Sequence, residues 1–238
     1  MRKEYDFSNC EIGKHAHRYA GLTEAPGLRR YPIAEASRLT GVSSQAIGSW
    51  VRRAASAHQP HAQGSGRPGP CLCFLDLVDL LVVGRLLEVG LPLRNIRQAH
   101  AQLIEGLHTV RPFSREDLFT QGVQILRRFA QEARAPELRP ALSRAHKSSL
   151  LRLQDEVEYD PDSLLARRWH VAEGVLIDPE RGYGHPIMAE SGIAAAVLAA
   201  AHEANELNAG LVADWYGVSV RQIELAVAFD RQMRKRAA

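Results

Sequence analysis

The sequence predicts a mainly α-helical protein in which two helical units flank a short mixed α/β segment. Three observations predict it. Apolar residues recur at three- and four-residue spacing through most of 31–104, and again from residue 192 onward. The phrase Gly-Val-Ser occurs twice, in TGVSSQAIGSWV (40–51) and YGVSVRQIELAV (216–227), each time followed by Ile at the same offset, Ile47 and Ile223. Between the two periodic stretches, Pro, Gly and Asp interrupt shorter segments.

Residues 1–28 are polar, with a loop-like TEAPG at 23–27, and read as an arm. From Tyr31 the chain becomes helical: Ile33, Ala36, Ser37 and Leu39 form a short apolar face that ends at Gly41. A second helix starts with Ser43 or Ser44 as N-cap and carries Ile47, Trp50 and Val51 on one side. SAHQPHAQGSGRPGP (56–70) is a loop by composition, and CLCFL (71–75) is a candidate strand. Asp76 leads the helix DLVDLLVVGRLLEVG, which stops at Gly90. Pro92 opens LRNIRQAHAQLIEGL, with Leu93, Ile96, Ala99 and Leu103 inward.

HTVRPFSRED (108–117) breaks the pattern, with Ser114 and Asp117 spaced as a capping box. GVQILRRFAQEA is amphipathic and helical, while LLRLQDEVEYDPDSLLARRWHV reads as extended segments joined by Asp160-Pro161-Asp162. After the turn-rich DPERGYGHP (178–186), GIAAAVLAAAHEANEL, AGLVADWYG and VSVRQIELAVAFDRQM restore helical periodicity. The stretch GIAAAVLAAA suits either a dimer surface or a buried core helix.

Composition narrows the function. The 238 residues have room for about two domains, and no apolar run approaches the ~20 residues of a membrane span. MRKEYDFSNC lacks the apolar core of a secretory signal, and Cys10, Cys71 and Cys73 lack framework spacing, so a reducing cytoplasm is expected. The net charge of +3 is modest, but its distribution is uneven. Arg29, Arg30, Arg38, Arg52, Arg53 and Arg67 face only Glu35 between residues 29 and 67, as suits a phosphate backbone. Arg231, Arg234, Lys235 and Arg236 cluster near the end.

Catalytic signatures are missing. There is no nucleophile elbow, phosphate loop or HExxH. His15 with His17, and His58 with His61, are paired without further ligands at credible spacing. Asp155, Glu156, Glu158, Asp160 and Asp162 are neighbours in sequence, whereas a Mg²⁺ nuclease needs acids converging from separate elements. The expectation is a non-enzyme without metal or cofactor.

The first Gly-Val-Ser fits a helix-turn-helix. Such a pair needs a small residue before the turn, a residue tolerant of positive φ within it, and an apolar anchor in the second helix; Ser37, Gly41 and Ile47 supply these. Ser44, Gln45, Gly48, Ser49, Arg52 and Arg53 then point outward. Ser and Gln can read base edges and Arg can bridge to phosphate.

RYPIAEASRLTGVSSQAIGSWVRR, followed by a loop and CLCFLDLVDLLVVGRLLEVGLPLRNIRQAHAQL, resembles the winged DNA-binding domain of MerR-family regulators over residues 30–104. The resemblance implies a winged helix-turn-helix over 29–107. Gln45, Ser49, Arg52 and Arg53 fall on its recognition helix, behind Ser43 and Ser44, and the 56–70 loop, with Arg67, is its wing. The chain departs from that family where 108–117 interrupts the long dimerising helix and where Cys71 and Cys73 fall in the wing strand, so no metal sensing is expected.

VLIDPERGYGHPIMAESGIAAAVLAAAHEANELNAGLVADWYGVSVRQIELAVAF (175–229) resembles a bacterial domain of formerly unknown function found in antitoxins. Asp178-Pro179, Gly184-His185-Pro186-Ile187 and Tyr216-Gly217-Val218 fill its pattern, whereas Ser191-Gly192-Ile193-Ala194 replaces its usual Arg-Ile-Pro. The order of both domains resembles the longer VapB-like antitoxins. That resemblance implies an arm (1–28), a winged domain (29–107), a connecting segment with short strands (108–174) and an antitoxin-type helical domain with a basic tail (175–238). It also implies a homodimer that binds operator DNA, represses its own operon and neutralises a PIN-like ribonuclease toxin. Arg231, Arg234, Lys235 and Arg236 are the candidate toxin contacts, with an arm bearing Lys14 and Arg18 as the competing element. The alternative is a stand-alone MerR-like regulator that answers a small ligand.

Overall fold

Pairing of two short strands at the start of the described chain organises the N-terminal unit. The computed structural model describes residues 29–57, 71–88, 90–109, 111–120, 124 and 151–237, except for the side chains of 52–57, 71 and 151. The arm, residues 58–70 with Arg67, and nearly all of GVQILRRFAQEA lie outside the described residues. Tyr31–Pro32 (β1) runs antiparallel to Cys71–Leu72 (β2), with Tyr31 opposite Leu72. The helix expected from Tyr31 therefore starts at Ile33, and the strand expected over 71–75 stops at Leu72 because Cys73 begins a cap: its N–H donates to the Asp76 carboxylate at 2.7 Å.

Four helices follow this pattern: α1 (Ile33–Thr40), α2 (Ser44–Ala57), α3 (Phe74–Glu88) and α4 (Leu93–Leu107). α3 is apolar nearly all round and is buried on most sides, from Leu77 through Val83 to Leu86. At Gly84 an added Cβ would lie 2.9 Å from Val42, so a side chain there would push away the turn between α1 and α2. Trp50 stacks on Phe113 at 6.0 Å and His100 meets both edge-on, which joins α2, α4 and the 3-10 turn Pro112–Ser114.

The second half begins with a helix, α5 (Leu151–Glu156), where extended chain is expected. Strands β3 (Val157–Tyr159), β4 (Ala166–Ala172), β5 (Val175–Ile177) and β6 (Pro186–Met188) form an antiparallel meander in sequence order. Trp169 sits opposite both Val157 and Ile177, and Ile177 opposite Pro186. One sheet thus runs across residue 174. Helices α6 (Ala195–Ala204), α7 (Ala209–Tyr216) and α8 (Val220–Lys235) close the chain. Ala195, Leu198, Val212, Ile223, Ala226 and Phe229 fill their common interior, and one apolar core continues from there to Tyr31. The alanine-rich α6 is half committed to that core: Ala195, Leu198 and Ala199 are buried, while Ala196, Val197 and Ala200 are exposed.

Candidate nucleic-acid interface

The first Gly-Val-Ser forms a tight helix–turn–helix corner. Gly41 adopts φ +76°, and its N–H donates to the Ser37 carbonyl at 2.9 Å, ending α1. An added Cβ at Gly41 would meet nothing within 4 Å, so the glycine is required by conformation and not by space. Val42 is buried, Ser43 accepts a hydrogen bond from the Ala46 N–H at 3.2 Å as N-cap, and Ile47 is fully buried against α1. The small residue that lets the helices cross is Ala36, which is fully buried, whereas Ser37 is only half-buried.

Ser43, Ser44 and Gln45 are exposed at the start of α2. Ser49 differs. It is half-buried, and its hydroxyl and carbonyl oxygens both accept from Arg97 of α4, at 2.9 and 2.8 Å. Arg52 and Arg53 continue α2 in backbone, and their side chains lie outside the described residues, as does Arg67. The structure therefore brings Ser43, Ser44 and Gln45 onto one exposed end and ties Ser49 inward.

A buried ionic cluster anchors α3 beneath this pair. Asp79 is fully enclosed, and burial pushes its carboxyl up to about 6 against the pull of Arg111 and of the Ser114 hydroxyl, which donates to it. Arg111 also pairs with Asp76 and lies 3.5 Å from Asp79. Ser114 is thus no helix cap: its single hydroxyl proton is shared between Asp79 and the Leu75 carbonyl 2.8 Å away, and Asp117 pairs with Arg115. Burial likewise drives the Cys73 thiol up to about 12, so it is a poor thiolate.

The second Gly-Val-Ser repeats the geometry. Gly217 has φ +63° and donates to the Ala213 carbonyl, Ser219 accepts from the Gln222 N–H at 3.3 Å, and Ile223 is fully buried. The exposed set differs, comprising Val220, Arg221, Glu224 and Ala228, with Leu225 half-buried and Arg221 paired to Glu173.

Two of the four tail cations are committed within the chain. Arg234 pairs with Asp230 at 2.7 Å and Glu203 at 2.9 Å. The Arg236 guanidinium donates to the carbonyls of Arg38 and Leu39, at 2.8 and 3.2 Å, capping the C-terminal end of α1. Arg231 and Lys235 are exposed and have no partner among the described residues. The junction is tied a second time. The Tyr31 hydroxyl donates to the Gly184 carbonyl at 2.6 Å, and Arg29 donates to the His185 ring and pairs with Glu35. Sequence reading missed Arg97 and Tyr31 and named Arg236 only as a candidate toxin contact, since each acts on a backbone group or residue distant in sequence.

The acidic run is dispersed into local contacts. Glu156 pairs with Arg85, Glu158 with Arg168 and His170, and Asp160 accepts from the Ser163 N–H and hydroxyl. Among the described residues no group of three His, Cys, Asp or Glu side chains is placed to hold a metal ion. No helix among them is long and apolar enough to cross a membrane.

No protein-family model matches the chain. It is 27% identical, over an alignment of 227 residues, to a Mycobacterium tuberculosis (strain ATCC 25618 / H37Rv) protein described as "Putative antitoxin VapB45"; the match covers 83% of this chain and 92% of that one. Its fold is similar to the crystal structure of Rv2018 from Mycobacterium tuberculosis, with a TM-score of 0.69, 25% identity, and coverage of 83% of this chain and 96% of that chain. Both likenesses extend over most of the chain at low sequence identity.

Proposed function

We propose that this chain is an antitoxin that binds operator DNA through its first helix pair, represses its own operon, and binds and neutralises a PIN-like ribonuclease toxin. The observation that carries the reading is the contrast between its two helix-turn-helix corners, in a chain similar to an antitoxin along most of its length. The first corner presents Ser43, Ser44 and Gln45, in a stretch otherwise rich in arginine. The second presents Val220 and Glu224, and a carboxylate there disfavours a phosphate backbone. Two half-sites on a palindromic operator require two copies of the first corner, hence a homodimer. In this reading the winged domain spans 29–107 and the antitoxin-type domain 175–238.

A PIN-like toxin holds Mg²⁺ with clustered carboxylates, and a cation placed there would block the metal. Arg231 and Lys235 remain available for that role, since Arg234 and Arg236 have partners within the chain. Deletion of 231–238 tests this: the truncated chain is expected to fail in neutralising the toxin, and full neutralisation would transfer the role to the arm bearing Lys14 and Arg18.

A second reading, a regulator answering a small ligand, is favoured by one feature. A cleft of about 520 Å³ opens between the α1–α2 turn, Arg85 of α3, Trp169 of β4 and Arg236. The enclosed Trp169 indole N–H has no acceptor among the described residues. A chain that copurifies with no ribonuclease but whose DNA affinity shifts with a metabolite fraction would favour this reading.

A further inference from the structure

Five of the seven large apolar side chains that stand exposed among the described residues fall within one stretch: Leu207, Leu211, Trp215, Tyr216 and Val220. Trp215 alone is 63% exposed. A soluble surface rarely gathers such residues without a partner to cover them. Leu211 and Trp215 are four apart on α7 and share a face, and Val220 begins α8 just across the Gly217 turn.

The charges beside this patch say what covers it. Along α8, Glu224, Ala228, Arg231 and Lys235 follow at spacings of four, three and four, and all four are exposed, forming one stripe opposite the buried Ile223, Ala226 and Phe229. The stripe is acidic at its aromatic end, where Asp214 and Glu224 have no ion-pair partner among the described residues, and basic at its far end, where Arg231 and Lys235 have none. A surface with acid and aromatic groups at one end and unpaired cations at the other is complementary to itself when inverted. We propose that a second copy of this chain docks here, with the two α8 helices antiparallel and crossing near Ala228.

That crossing sets Glu224 opposite Arg231 of the second copy, and Arg231 opposite its Glu224, so each pair forms twice. Ala228 has only a methyl group and lets the helices approach closely. The stems of the second copy's Arg231 and Lys235 lie over Trp215 and Val220, with the charged heads toward Asp214 and the indole face. An acidic, aromatic surface of this kind does not fit a nucleic acid, whose phosphates would be repelled by Asp214 and Glu224. The inference supplies the contact for the dimer of the proposed function and depends on neither toxin nor DNA; because it covers Arg231 and Lys235, a toxin reaches those two cations only when this contact opens.

Sedimentation equilibrium of the full chain tests it. The native chain is expected to be a dimer. Trp215→Glu is expected to raise the dissociation constant about thirtyfold or more, as loss of a buried aromatic anchor does. Glu224→Arg and Arg231→Glu, each placing like charges together, are expected to leave monomers that retain native circular dichroism. Mixing those two variants is expected to restore a dimer, because each then supplies the charge the other lacks, and misfolded chains could not do this. A monomeric native chain would overturn the proposal. So would a dimer indifferent to Trp215→Glu and Glu224→Arg, or a mixture of the two charge variants that stays monomeric.

Discussion

Asp79 shows how one carboxylate fixes both stability and its dependence on pH. Its pKa in the folded chain is raised by burial to about 6, so the folded state holds the proton to higher pH than the unfolded state does. That contribution is fully present below the unfolded value near 3.9 and is lost as pH rises through about 6. Urea unfolding of the native chain is therefore expected to show a component of stability that falls between about pH 4 and 6, and Asp79→Asn is expected to remove that component. Above this window the charged Asp79 relies on Arg111. Arg111→Ala is expected to cost about 3 kcal/mol at pH 7, read from the same denaturation curves, because a buried charge is left without its partner. Gln45 is a residue of the other kind, exposed and without structural duty. Gln45→Ala is expected to leave the melting temperature unchanged and to weaken operator binding about tenfold in a mobility-shift titration, the loss of one base contact.

At the scale of elements, the two Gly-Val-Ser corners make the same demand on the backbone. Gly41 and Gly217 both sit at positive φ with open space around the missing Cβ, so Gly→Ala at either position is expected to cost about 1 kcal/mol by conformation alone. Thermal melts of both variants check this; an unchanged stability would mean that the corner does not need the left-handed residue. The helices were legible because their signals are local: the apolar spacing of Ile96, Ala99 and Leu103, the Pro92 start and the Ser43 cap. The pairing of Tyr31 with Leu72 was not, since it joins residues far apart in sequence, with α1 and α2 between them, and only two residues of each strand take part. Ser114 and Asp117 had capping spacing, but the buried Asp79 carboxylate competes for the serine hydroxyl and prevails inside the core. LRLQDE forms a helix although strand β3 follows it directly; Leu153 buries into the shared core, and that contact lies outside any local pattern.

For the molecule as a whole, the proposed function asks the first corner to meet DNA and the second to meet protein. Arg236, bonded to the C-terminal end of α1, and Tyr31 of β1 tie the two halves together beside the first Gly-Val-Ser corner. Arg236→Ala is expected to leave the C-terminal helices intact and to speed amide exchange at the end of α1, which mass spectrometry reads. The exposure of Ser43, Ser44 and Gln45 was legible from helix periodicity, while the inward turn of Ser49 depended on Arg97, forty-eight residues away. The basic tail was legible as charge, but not that half of it is spent on Glu203, Asp230 and α1, because those partners meet it only in the folded chain. Co-expression of the tagged chain with the product of the neighbouring reading frame tests the antitoxin reading most directly. Copurification of a small ribonuclease that cleaves RNA only after it is released from the chain is the predicted result; a chain that purifies alone, or beside a nuclease it leaves fully active, would contradict the account.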